Sequence, residues 1–472
     1  MKILFATSEA YPFIMTGGLG DVAGALPRAI QQNSHCCRVV LPLYYDTPEN
    51  LRKDLKFITK FSVTLSWREQ YCGVFEAHVN DTVYYLLDNE YYFKRPGAYG
   101  HYDDGERFAF FSKAVLEMIK VIDFKPEVIH ANDWQTAMIP VYKKLIYSEQ
   151  EDYKNCKTVF TIHNILNQGQ YDINILTDVL GLKESDLSVL EYNGVINTMK
   201  AAIETADAIT TVSPSYAEEL INPAASYGLS DILRNNSDKV YGIINGIHTD
   251  IYNPETDDII LQNYSIEDLS GKSSNKKALQ KMVGLPEDTD IPIISMITRF
   301  VDHKGLDLVN KVIEEILTSH VQLIMLGKGD RLHETFFMDV AERYPGKMAL
   351  KIGFIPDIAH KIYAGSDLFL MPSKFEPCGL SQMIAMRYGT IPIVRETGGL
   401  KDTVIDYSSE NGNGFTFQAY DAAEMLEAIR RAQDLFKNKK AWETLIERAM
   451  LTNHSWQSSA NQYIELYKNL NL

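Results

Sequence analysis

The chain has 472 residues, 45% of them hydrophobic and 23% charged, with a formal net charge of −16 at pH 7. That length predicts two large domains or three smaller ones of an ordinary globular protein, and the negative charge disfavours nucleic acid and anionic membranes as partners. Five scattered cysteines without a Cys-x-x-Cys pair indicate neither a disulfide scaffold nor a zinc site, which fits a reducing cytoplasm.

Met1-Lys2 leads directly into an apolar strand, Ile3–Thr7, without the length or cleavage pattern of a signal peptide. No apolar stretch approaches the ~18 residues of a membrane span. The phrase Thr16-Gly17-Gly18-Leu19-Gly20-Asp21-Val22 follows and runs into a helical pattern from about Gly20. Paired glycines let a main chain approach a ligand, and a helix start offers free N–H groups. Simple turn chemistry would explain one such phrase equally well. Strand Arg38–Leu43 comes next, then β-rich runs Lys56–Trp67, Tyr71–Val79 and Thr82–Leu87, read as hairpins inserted into an α/β pattern. Glu106–Ile122 is helical, its apolar stripe a core face. Strand Val128–Ala131 ends in Asn132-Asp133-Trp134, and strand Thr158–Ile162 ends in His163-Asn164. Polar groups at strand carboxyl ends are where an α/β site is built, although a lone histidine there also serves as a cap. Strands Ala208–Val212 and Val240–Ile244 close the first half.

Periodicity lapses into a polar, acidic stretch between Asn245 and Lys277, read as the linker. Regular alternation then resumes. Strands Pro292–Thr298, Val321–Leu326, Met348–Gly353, Leu368–Met371 and Ile391–Val394 are separated by helical patterns, which predicts a parallel, doubly wound sheet. Arg299 follows the first of these strands, and Lys304-Gly305 precedes its helix. A planar fork beside a point charge suits a diphosphate, while pairing with Asp302 and Asp307 is the plain alternative. Phe375-Glu376-Pro377-Cys378-Gly379-Leu380 follows strand Leu368–Met371, where the carboxylate could hold sugar hydroxyls or simply complement a helix start. After Ile391–Val394 the early phrase returns as Thr397-Gly398-Gly399-Leu400-Lys401-Asp402-Thr403-Val404.

Other signals weigh little. Asp288-Thr289-Asp290 reads as a solvated turn, the 11 histidines show no metal spacing, and no G-x-G-x-x-G, Walker or G-x-S-x-G motif occurs.

Taken together, these segments resemble the bacterial glycogen synthase and plant starch synthase family, retaining glucosyltransferases. The likeness runs collinearly through Thr7–Phe13 with Gly17–Val22, Asn132–Gln135, Thr161–Asn164 with Gln168-Gly169, Asn245-Gly246-Ile247, Arg299 with Lys304–Leu308, Met371–Gln382 and the second Thr-Gly-Gly-Leu. The run Glu376-Pro377-Cys378-Gly379-Leu380-Ser381-Gln382 is the most specific of them.

The resemblance implies an α/β GT-B architecture, two Rossmann-like doubly wound domains facing a central cleft. The domains would be 1–246 on the acceptor side and 277–455 on the nucleotide-sugar side, with linker 247–276 and a C-terminal helix 456–472 returning to the first domain. It implies glucose transfer from ADP-glucose to the non-reducing end of an α-1,4-glucan. Arg299 and Lys304 would grip the diphosphate, Glu376 the glucose hydroxyls, and His163 would sit under the sugar ring. Met15, Gly17, Gly18, Asp21, Asn245, Phe354, Cys378, Gly379, Leu380, Thr397, Gly398 and Gly399 would line the donor pocket, Phe354 packing on the base. Tyr99, Asp133 and Gln168 would lie on the acceptor side. The family needs no metal and no cofactor.

This sequence departs from the pattern at Met15, where the family usually carries lysine, and an ending in His248 replaces the commoner aspartate. Three rivals are a UDP-glucose enzyme, a GT-B transferase with another acceptor, and a catalytically weak glucan-binding homologue. The E-x7-E mark of one large GT-B family is absent, since Ile384 stands where the second glutamate would fall.

Overall fold

A computed structural model describes residues 1–470, so the last two residues of the helix expected over 456–472 lie outside the described residues. The chain forms two compact units. One comprises Met1–Gly246 together with the stretch from Trp456 onward, the other Ile247–Ser455.

The first unit is built on strands β1 (Lys2–Ala6), β2 (Cys36–Pro42), β3 (Lys56–Leu65), β4 (Arg68–Val79), β5 (Thr82–Asp88), β6 (Val128–Asn132) and β7 (Lys157–Ile162). Short strands β8 (Gln170–Tyr171), β9 (Glu191–Tyr192) and β10 (Val195–Asn197) make a separate small sheet, while β11 (Ala208–Thr211) and β12 (Val240–Gly242) complete the main one. Its order is β12-β11-β7-β6-β1-β2-β5-β4-β3. Every pair from β12 to β5 is parallel, and β4 and β3 extend the edge antiparallel. The three β-rich runs read as inserted hairpins therefore belong to the main sheet. β5 is both the last arm of that meander and a parallel partner of β2, and five of its residues, Thr82 and Tyr84–Leu87, are buried.

β1 has β2 on one side and β6 on the other, so the winding reverses between β1 and β6. The crevice beyond strand carboxyl ends at such a reversal is the binding position of open α/β sheets. Thr7-Ser8-Glu9 and Asp133 emerge there. Helix Gly18–Gln32 buries Val22, Leu26, Ala29 and Ile30 at helical spacing against the sheet. Helix Trp456–Leu470 adds Tyr463, Ile464 and Tyr467 to the same core, and the Tyr467 hydroxyl meets His130 Nδ1 at 2.6 Å.

The second unit holds β13 (Ile293–Ile297), β14 (Gln322–Gly327), β15 (Met348–Ile352), β16 (Leu368–Met371), β17 (Ile391–Arg395) and β18 (Phe415–Phe417). All pairs are parallel, in the order β15-β14-β13-β16-β17-β18. This is the 3-2-1-4-5-6 order of a dinucleotide-binding fold, reversing between β13 and β16. Covered on both faces, β14 is buried throughout, as parallel strands are.

The polar stretch read as a linker over 247–276 is folded into this unit. Helix Ser270–Val283 begins inside it, and Asp257 is buried, accepting from the Tyr388 hydroxyl (2.5 Å) and pairing with His360 Nδ1 (2.7 Å). Lys272 Nζ donates to Ala364 O, Tyr388 O and Thr390 Oγ1. Composition reveals that such residues are polar, but not that their partners are internal. Among the described residues no helix is long and apolar enough to cross a membrane.

Candidate active site

In the second unit, the loops leaving β13 and β16 at the reversal are joined side chain to side chain. Lys304 Nζ meets Glu376 Oε2 at 2.6 Å, and Ser373 Oγ donates to the same oxygen at 3.0 Å. Both partners are largely buried, with side chains 16% and 9% exposed. The main chains also touch. Lys374 N donates to His303 O at 2.8 Å, and Gly305 (φ +76°) lies so close to Pro372 that a Cβ there would stand 2.0 Å from its carbonyl oxygen. Only glycine fits both the conformation and the contact.

The side chain of Arg299, exposed just after β13, makes no hydrogen bond or ion pair among the described residues, while its carbonyl accepts from Val301 N at 3.0 Å. His303 titrates below its usual range through burial and then through Lys304 and Arg299, so it is neutral at pH 7. The plain alternative for the two cations is not what is observed. Asp302 pairs with His333 at 3.0 Å and Asp307 accepts from Tyr420, leaving Lys304 to Glu376 and Arg299 unpaired. Phe354, in the loop after β15, is 75% exposed.

The second Thr-Gly-Gly phrase opens helix Gly398–Thr403 with Thr397 at its cap. Its glycines serve a contact within the protein. A Cβ on Gly398 would lie 2.1 Å from Glu376 O and one on Gly399 2.2 Å from Cys378 O, while Gly399 N donates to Glu376 O and Pro377 O. The first phrase differs. A Cβ on Gly18 would meet nothing within 4 Å, and one on Gly17 only Glu9 Oε1 at 3.9 Å. Gly17 and Gly18 thus face open space, where a ligand can approach. The Thr16 and Gly17 amides are already taken, because Glu9 accepts from both. A carboxylate therefore sits where a phosphate-binding loop would hold its phosphate.

Acidity marks the first unit's cluster. Burial pushes Asp133 up to about 7, against the lowering effect of the His163 and Asn164 amides. Asp21 rises to about 6 through burial and then the charge of Glu9, and burial raises Glu9 too. No cation offsets them at position 15, where Met15 is 44% exposed and packs over Gly20. Asp133 (φ +57°) closes the turn between the β6 and β7 ends, its Oδ1 accepting from His163 N at 2.7 Å and Asn164 N at 3.2 Å. Asn132 donates its amide to Ala6 O and His130 O, which leaves its Oδ1 to accept from His163 Nε2 at 2.9 Å. Nδ1 is then the unprotonated nitrogen, and burial lowers His163 to about 3. The imidazole is neutral and fixed.

Tyr99 is half-buried, its hydroxyl 2.7 Å from Ser8 Oγ. Gln168 is buried and its amide is spent inside the protein, on Ile165 O, Tyr227 O, Asn197 and Gln170. Asn245 is buried, and its Oδ1 has no partner among the described residues. Ser8, Glu9, Ser373 and Gln382 all stand within the quoted motifs, but residue type and spacing alone did not mark them. Asp302, Asp330 and His333 lie close enough to hold a metal ion, but both carboxylates are exposed, as acidic surface groups commonly are without one.

Residues 2–235 match the family model of the starch synthase catalytic domain, and residues 279–450 that of glycosyl transferases group 1. A glycogen synthase of Geobacillus thermodenitrificans is 50% identical, the alignment covering 100% of this chain and 98% of that one. One of Bacillus cereus is 50% identical over 100% of both chains. Among solved structures, the catalytic domain of starch synthase IV from Arabidopsis thaliana, bound to ADP and acarbose, superposes with a TM-score of 0.90 at 34% identity, covering 100% of this chain and 99% of that one. Sucrose-phosphate synthase from Thermosynechococcus elongatus, at 16% identity and a TM-score of 0.61, shares the fold.

Proposed function

This chain belongs to the glycogen and starch synthase family and is a hexosyltransferase of GT-B architecture, and we propose that it moves glucose from ADP-glucose onto the non-reducing end of an α-1,4-glucan with retention of configuration. The observation that carries the donor side is the Lys304–Glu376 pair at the β13/β16 reversal, with Arg299 unpaired beside it.

Arg299 and Lys304 receive the diphosphate and stabilise the charge that grows on it as the glycosidic bond breaks. Glu376, oriented by Lys304 and Ser373, accepts hydrogen bonds from glucose hydroxyls. The amides of Gly379 and Leu380, which have no partner among the described residues, add donors beside it. Phe354 offers its exposed ring to the base. Cys378, Thr397, Gly398 and Gly399 shape this wall, since the glycines pack on its main chain.

His163 supports the positive charge of an oxocarbenium-like transition state through its neutral imidazole or its main-chain carbonyl. Asp133 and Asn132 fix its position. Met15, Gly17, Gly18, Asp21 and Asn245 complete the donor's surroundings, presenting acceptors to hydroxyls rather than cations to phosphate. Asp133 Oδ2 and Tyr99 serve the acceptor, and Gln168 acts through the loop its amide ties together. The donor phosphate helps to deprotonate the acceptor 4-hydroxyl on the face it leaves.

We also propose that the reaction needs no metal and that the enzyme works in the cytoplasm without nucleic acid or membrane. The test is transfer of labelled glucose from ADP-glucose to glycogen or maltodextrin, with and without EDTA. Equal rates are expected. Loss of activity on chelation would implicate Asp302, Asp330 and His333, and folded protein that incorporates glucose from neither ADP- nor UDP-glucose would overturn the enzymatic reading.

A further inference from the structure

Gln382 is fully buried in the first turn of helix Ser381–Arg387. Its Nε2 lies 3.1 Å from Cys378 O, 3.0 Å from Gly379 O and 3.1 Å from Thr403 Oγ1. Two amide hydrogens are thus shared among three acceptors, two of them consecutive main-chain carbonyls. Thr403 Oγ1 passes its own proton to Gly399 O at 2.6 Å, so the chain of bonds reaches the second Gly-Gly turn. On the near side Gly399 N donates to Glu376 O and Pro377 O. The carbonyls of four successive residues, 376 to 379, are all drawn inward.

In a trans peptide a carbonyl and the N–H of the next residue point to opposite sides. Drawing Cys378 O and Gly379 O inward therefore turns the Gly379 and Leu380 amides outward, and both residues are half-exposed. Gly379 has φ +72°, and a Cβ on it would lie 2.5 Å from Gln382 Oε1. The Gln382 oxygen is buried without a partner among the described residues. An unsatisfied buried acceptor is costly, so Gln382 is held here by what its nitrogen does.

We propose that Gln382 is a positioning residue for the donor: it holds the Cys378 and Gly379 carbonyls inward so that the Gly379 and Leu380 amides face the sugar nucleotide beside Glu376. This rests on the donor-site reading above. Leucine at 382 keeps the bulk and removes the donor. Glutamate keeps the shape, but as a carboxylate it opposes two carbonyls with a third acceptor, and only its protonated form regains an O–H.

The test is steady-state kinetics and calorimetric binding of ADP-glucose for wild type, Gln382→Leu and Gln382→Glu, with melting curves to establish folding. Gln382→Leu is expected to raise the donor KM about tenfold or more at every pH and to leave the glucan KM within about twofold. Gln382→Glu is expected to match it at pH 8 and to recover toward wild type at pH 5.5. Wild-type donor KM and kcat in folded Gln382→Leu, or a Gln382→Glu defect that is the same at both pH values, would overturn the proposal. Should the leucine variant fail to fold, Gln382→Met is read against the same thresholds. Wild type without transfer activity would instead remove the functional reading, while ADP-glucose binding by the variants still reports on Gln382.

Discussion

Lys304 Nζ and Glu376 Oε2 stand 2.6 Å apart, although 72 residues separate them in the chain. Each leaves one of the two strands at the sheet reversal, so the pair closes the crevice where an α/β sheet receives its ligand. The pair also places a cation and a hydroxyl-accepting carboxylate side by side, one for each half of a sugar diphosphate. Lys304→Ala and Glu376→Ala are each expected to lower kcat more than ~10-fold, measured with ADP-glucose and glycogen, because each removes a partner of developing charge or substrate. Near-normal turnover in both would show the site to be elsewhere.

Met15 leaves Glu9 and Asp21 without a cation, and their charge rises as pH climbs through about 6, the value of Asp21. A carboxylate repels an anionic donor, so the donor KM of wild type should increase between pH 5.5 and 8. Met15→Lys is expected to lower that KM at neutral pH and flatten its pH dependence, with kinetics on ADP-glucose and UDP-glucose as the check. A variant indistinguishable from wild type in both would make the departure silent.

Asp133 titrates at about 7 in the folded chain, against 3.8 for the ordinary group. The folded state therefore binds more protons between those values, and stability falls as pH rises toward 7. Asp133→Asn keeps the oxygen that accepts from His163 N and removes the titration. Urea midpoints between pH 5 and 8 should decline less steeply in the variant than in wild type. Parallel curves would assign the wild-type slope to other groups.

The alternation of strands and helices was legible because burial imposes periods of two and 3.6 on the sequence itself. Strand order was not, since it depends on which way each crossover returns. β5 shows the difference: its alternation announces a strand, but not that it joins β2 in parallel as well as β4 in antiparallel. At the site, the motifs placed charged and polar residues at strand ends, which is as far as residue type reaches. Their partners stayed hidden, because Lys304–Glu376 and Thr16–Glu9 are contacts made by folding. The two Thr-Gly-Gly phrases read alike, and yet one leaves room for a ligand while the other is filled by the chain's own carbonyls. The polar stretch around Asp257 misled for a related reason, as Asp257 and Lys272 find their partners inside the second unit.

The helix Trp456–Leu470 carries a consequence for how the molecule matures. Its Trp456, Ala460, Tyr463, Ile464, Leu466 and Tyr467 belong to a core whose residues outside this helix are all made before residue 247. Translation delivers the second unit as one uninterrupted stretch, which can close as soon as its last strand and helices leave the ribosome. The first unit, begun earlier, must wait with an open seam beside His130 until the final helix emerges. Synthesis and completion therefore run in opposite order: the unit that starts first is finished last, and a nascent chain halted before residue 456 carries a finished second unit beside an unfinished first.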